Sequence, residues 1–98
     1  MTPTSRLAQN LDYLRLEADL TQEQMAEIVG MGLKFYQTLE RGRKPQIKLE
    51  TVERLGRPFG LEVWEMLAPI AVLKRRRYRL PVSTTEAKRG PRARWTVR

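Results

Sequence analysis

The run TQEQMAEIVGMGLKFYQTLERG, residues 21–42, constrains the fold of this chain more than any other stretch. It opens on Thr21-x-x-Gln24, a spacing at which a threonine hydroxyl and a glutamine amide satisfy each other's orphan backbone N–H groups. A helix therefore starts sharply at Gln22. Met25, Ile28 and Val29 recur on one face of that helix, with Leu20 and Met25 placed as a hydrophobic staple, and Gly30 stops it. Gly32 is a weaker N-cap for the next helix than Ser or Thr. In that helix Tyr36 and Leu39 face inward, and Gly42 stands where a left-handed C-cap belongs. Two short helices joined by so tight a turn cannot bury their apolar stripes alone, so further helices must cover them.

The flanking sequence supplies those helices. Leu7, Leu11 and Leu14 mark a first helix over about residues 5–18. Leu49, Val52 and Leu55 mark another over about 48–57, closed by Pro58, and Leu61, Trp64 and Leu67 one over about 61–68, closed by Pro69. The expectation is an all-α domain of about five helices over residues 1–68, followed by a C-terminal extension over 69–98. In that extension IAVL (70–73) suits a last helical turn or a strand, and YRLPV and RWTV admit a weak hairpin. No sustained period runs through it, so it is expected to be largely irregular, disordered or ordered only on binding.

The charge divides at the same place. The net charge is +8, yet residues 1–73 hold nine Lys/Arg against ten Asp/Glu, and residues 74–98 hold ten against one. A nearly neutral domain thus carries a strongly basic tail. Cysteine and histidine are both absent from the sequence, which excludes disulfides and Cys–His or Ser–His–Asp catalysis, and leaves a metal site only carboxylates. No catalytic residue, metal or cofactor is expected, and nothing supports an enzyme. The longest apolar run is too short to span a bilayer, and MTPTSRLAQN holds no apolar signal core, so a cytoplasmic protein is expected.

LxxLR at Leu11–Arg15, LTQEQMAEIVG at 20–30, LERG at 39–42 and LEVWEML at 61–67, in that order, resemble the lambda-repressor-like, Cro/C1-type (XRE) helix-turn-helix family of prokaryotic and phage regulators. The resemblance spans about residues 7–68. It implies a five-helix domain that binds double-stranded DNA as a homodimer, with the second helix of the motif in the major groove. On that footing Leu33, Lys34, Gln37, Thr38 and Arg41 are the expected base contacts. Lys34 suits guanine, Gln37 adenine, and Leu33 and Thr38 thymine methyl groups. Thr21 and Gln22, at a helix N-terminus, and Arg43, Lys44 and Lys48, in the following loop, are the expected phosphate contacts. The bland alternative for each is a solvated polar face. Arg15 and Glu40 match a partly buried ion pair of the family, with a structural role. The last helix is expected to carry the two-fold interface through Leu61, Trp64 and Glu65, with Trp64 also set into the core.

Two positions depart from the family pattern. Gly32 replaces the usual Ser/Thr cap, and Phe35 is large where many members are small; it is expected in the core or against a sugar. In the tail, Arg75, Arg76, Arg77, Arg89 and Arg92 are expected to track phosphates or enter a minor groove. The leading expectation is a homodimeric repressor of a palindromic operator, its own promoter being one candidate. The rival is the antitoxin of a toxin–antitoxin pair whose tail docks the toxin, a protein partner. A tail that masks a basic toxin should be acidic, and this one is basic.

Overall fold

The computed structural model describes residues 2–81 and, as backbone, 95–97. Six helices form: α1 (Pro3–Glu17), α2 (Gln22–Val29), α3 (Leu33–Glu40), α4 (Leu49–Gly56), α5 (Val63–Met66) and α6 (Ile70–Arg75), with a 3₁₀ turn at Arg57–Phe59. Strands β1 (Arg79–Pro81) and β2 (Trp95–Val97) pair antiparallel, with Leu80 opposite Thr96. The fold is thus all-α, as expected, with one small ribbon in the extension. Among the described residues no helix is long and apolar enough to cross a membrane.

Local chemistry accounts for the helix ends. Thr2 caps α1, its hydroxyl accepting from the Ser5 N–H. The capping box of α2 is closed on both sides: Thr21 Oγ1 accepts from Gln24 N–H at 3.1 Å, and Gln24 Oε1 accepts from Thr21 N–H at 2.9 Å. Gly30 ends α2 with φ +73, a left-handed conformation that glycine adopts without cost and other residues resist. α3 starts at Gly32 with no side-chain cap, as the sequence implies.

Leu7, Leu11 and Leu14 of α1 are fully buried against Met25, Tyr36, Leu39, Leu55, Phe59 and Met66. Two features set the closing half of the domain. Gly56 lets α4 approach the next segment: a Cβ there would stand 2.6 Å from the Leu61 carbonyl oxygen and 2.9 Å from Met66 Cγ. Asn10, at a core position of α1, donates from Nδ2 to the carbonyls of Met66 and Ala68, both at 2.8 Å, and so fixes the end of α5 on α1.

The packed core runs past residue 68. Leu73 of α6 and Tyr78 are buried in it, and Tyr78 meets Phe59 edge-on at 6.4 Å. Lys74 Nζ lies 5.9 Å over the Tyr13 ring. The basic segment from residue 74 to 79 is therefore laid against the domain, and the two strand-like runs of the extension, at 79–81 and 95–97, pair as a short ribbon.

The closing helix differs from the expectation in phase. α5 begins at Val63, with Glu62 as its cap, not at Leu61. That shift takes two of the three predicted seam residues off the surface. Leu61 precedes the helix and is 5% exposed, Glu65 is 2% exposed, and Trp64 is 60% exposed. Glu65 is occupied inside the protein, Oε1 accepting from the Glu62 N–H at 2.9 Å and Oε2 pairing with Arg76. Leu61 and Glu65 therefore cannot form a surface interface, and Trp64 is not core.

Candidate nucleic-acid interface

Burial of Tyr36 and Leu39 orients α3, and it leaves Leu33, Lys34 and Phe35 of the first turn exposed, with Gln37 and Thr38 half-buried beside them. α3 lies against both α1 and α2. The N-terminal half of one short helix is thus offered to solvent on a rigid base, in the manner that a groove-reading helix requires.

A polar chain ties this face to the interior. Arg15 grips Glu40 bidentately, Nε lying 3.1 Å from Oε2 and Nη2 3.0 Å from Oε1, and its Nη1 donates to the Leu20 carbonyl at 3.0 Å. Gln22 Nε2 donates to Glu40 Oε1 at 3.3 Å, and Gln22 Oε1 accepts from Gln37 Nε2 at 3.0 Å. The chain Arg15–Glu40–Gln22–Gln37 therefore links three helices and fixes the Gln37 amide. Burial disfavours the Glu40 carboxylate, but the Arg15 hydrogen bonds and charge outweigh it and hold its pKa below the ordinary value. Burial likewise opposes the Arg15 charge, and Glu40 more than offsets it. The Tyr36 hydroxyl is buried beside the same carboxylate; burial, then Glu40, raise its pKa.

Most of the predicted contacts lie among the described residues. Lys34 and Leu33 project from the first turn of α3, and Arg41 is exposed at its C-cap. Thr38 turns its hydroxyl back to the Lys34 carbonyl at 2.9 Å, so its methyl group is the part left to meet a base. One of the two Gln37 amide N–H groups serves Gln22, which leaves the second N–H and the oxygen as the outward donor and acceptor. Thr21 is exposed at the α2 N-cap. The Gln22 side chain is turned to Glu40 and Gln37, so the first-turn N–H groups of α2 are its nearer offering to an anion. Arg43 and Lys48 are exposed and Lys44 half-buried in the loop after α3. Arg75, at the end of α6, and Arg77 are exposed; Arg76 is turned to Glu65. Arg89 and Arg92 lie outside the described residues.

Phe35, expected in the core or against a sugar, is not core: it is 39% exposed, with Lys44 Nζ 5.6 Å from its ring centroid. Sequence reasoning missed the roles of two further residues. Asn10 is visible in the sequence only as a polar residue inside the Leu7–Leu11–Leu14 stripe. Glu65 is signalled by Glu62-x-x-Glu65, a capping-box spacing with glutamate as an uncommon cap.

Helix, turn and helix in this geometry, with the first turn of the second helix exposed, define a Cro/C1-type helix-turn-helix protein. A family profile described as "Helix-turn-helix domain" matches residues 6–67, and the chain belongs to that family. It is 40% identical over 55 residues to the cryptic phage CTXphi transcriptional repressor RstR of Vibrio cholerae; the match covers 56% of this chain and 49% of RstR. The chain thus spans about half the length of that curated relative. Among solved structures it is similar to a hypothetical transcription factor, NHTF, from Neisseria. The TM-score is 0.64 at 26% identity, over 72% of this chain and 82% of the other.

Proposed function

We propose that this protein is a sequence-specific, double-stranded-DNA-binding transcriptional regulator. It acts as a homodimeric repressor that occupies a palindromic operator, its own promoter among the candidates. The observation that carries this reading is the exposed first turn of α3, with Lys34 free to project and Gln37 held in place by Gln22. Leu33, Lys34, Gln37, Thr38 and Arg41 read bases; Thr21, Gln22, Arg43, Lys44 and Lys48 hold the flanking phosphates. Arg75 and Arg77, with Arg89 and Arg92 further along, add sequence-independent grip. Similarity to a phage repressor and to a transcription factor supports the same class.

A single helix in a groove covers too few bases for a unique site, so two copies read half-sites about 34 Å apart. Trp64, exposed beside half-buried Val63, is the apolar residue through which the copies meet. In a gel-shift titration, Lys34→Ala and Gln37→Ala each reduce discrimination between operator and scrambled duplex by about 1–3 kcal/mol, or roughly 5- to 150-fold. Arg43→Ala weakens both duplexes alike. If neither Lys34→Ala nor Gln37→Ala alters operator binding, α3 is not the reading element.

A further inference from the structure

A cleft on this surface is lined by Phe35, Lys44, Gln46, Ile47, Lys48 and Thr51. It lies between the first turn of α3, the loop that follows α3, and the start of α4. Its chemistry is divided. Phe35 and Ile47 give it an apolar floor, Ile47 being packed on the core from below. Lys44 and Lys48 stand at its rim, and Gln46 and Thr51 add neutral polar groups. Glu50, the acid in the same turn of α4, leans toward Arg54 at 4.0 Å. Two ammonium groups above an apolar floor therefore dominate the cleft.

A ring left 39% exposed in the middle of a polar face calls for a reason, because burial of the phenyl group elsewhere would stabilise the fold. The Lys44 ammonium 5.6 Å over its centroid supplies one half of it. The ring face attracts the cation and restricts a side chain that would otherwise sweep through many rotamers. Lys44 is thus held ready at one edge of α3. The other half is the floor itself, which matches the apolar face of a deoxyribose, with its phosphate within reach of the rim lysines.

The geometry points to a backbone subsite: the cleft takes one deoxyribose–phosphate unit of the strand flanking α3, its sugar on Phe35 and Ile47 and its phosphate on Lys44 and Lys48. Phe35 is then a positioning residue. It reads no base, and it sets the depth and angle at which α3 enters the groove. The subsite rests on the DNA-binding function proposed above and assigns a role to the position where a large ring replaces the family's small residue.

The test uses the full chain and the duplex that the wild type enriches from a random pool, remade with a single neutral methylphosphonate at each backbone position in turn. Wild type loses affinity when the phosphate in the subsite is neutralised. Lys44→Gln binds the unmodified duplex more weakly and is less sensitive to neutralisation at that one position, where Lys48 remains. Phe35→Ala binds about five- to tenfold more weakly, the scale of one lost apolar contact with one loosened phosphate contact, and keeps the wild-type base preference. Both side chains are surface groups, and unchanged melting curves establish that the variants fold. A Phe35→Ala protein with wild-type affinity, or with an altered base preference, overturns the subsite. Unchanged sensitivity at every phosphate in Lys44→Gln also overturns it. These failures leave DNA binding intact, whereas a wild type that enriches no duplex removes the DNA-binding reading itself.

Discussion

Replacing Glu40 with alanine tests the physical basis of the interface most sharply. The carboxylate side chain is 6% exposed and its Arg15 partner 15%, so removing Glu40 leaves a guanidinium mostly out of water. Breaking a buried pair from one side costs about 3–5 kcal/mol, because the remaining charge is uncompensated. Arg15 keeps its bonds to the Leu20 carbonyl at 3.0 Å and to Asp12 at 3.3 Å, which places the loss near the lower end, about 3 kcal/mol. For a domain of this size that lowers Tm by roughly 12–24 °C. Thermal melts followed by circular dichroism at neutral pH measure it directly. The pH dependence adds a second check with a fixed sign. The Glu40 pKa is below its ordinary 4.5 in the folded protein. Its contribution is therefore fully present above 4.5 and is lost as pH falls through the lower folded value. The stability gap between wild type and Glu40→Gln should be widest near neutrality and shrink in acid. A Glu40→Ala protein that melts with the wild type, or a gap that does not shrink in acid, refutes the reasoning.

Further outcomes follow from the structure. Tyr78 is buried against Phe59, so Tyr78→Ala should cost about 3 kcal/mol or more. By the same logic a chain ending at residue 73 should be less stable than one ending at 81, as urea titration will show, while loss of residues 82–98 should flatten the salt dependence of DNA affinity. Trp64→Glu should shift sedimentation toward monomer with little change in melting at a fixed low concentration, since Trp64 is 60% exposed; an unaltered sedimentation coefficient would move the dimer interface elsewhere. Gly56→Ala should cost about 1–3 kcal/mol by thermal melting, because its Cβ would meet the Leu61 carbonyl oxygen at 2.6 Å.

Where a rule of local chemistry applied, the fold was legible in the sequence. Thr21-x-x-Gln24 announced α2 to the residue, and both of its hydrogen bonds are made. The Arg15–Glu40 pair followed from the family resemblance, and it is bidentate. The phase of α5 was not legible, because Leu61, Trp64 and Leu67 fit a helical spacing that the true start at Val63 breaks. Glutamate, unlike aspartate, is an uncommon helix cap, so Glu62 gave no cap signal and Glu65 was expected at the dimer seam, although one caps the helix and the other is buried. Tyr78 and Arg76 gave no periodic signal; their places depend on Phe59 and Glu65, distant partners that only the assembled fold brings near. Within the interface, residue types were legible and their couplings were not. Gln37 looked like an independent reader, yet its amide is held through Gln22 to the buried Glu40.

That coupled helix face matters only if it reads DNA. The direct measurement is selection of duplexes by the full chain from a random pool, followed by sequencing. The account predicts enrichment of one two-fold symmetric motif, with half-sites about 34 Å apart, and loss of that preference in Lys34→Ala. A pool that stays random through repeated rounds, or a motif that Lys34→Ala and Gln37→Ala both leave untouched, contradicts it.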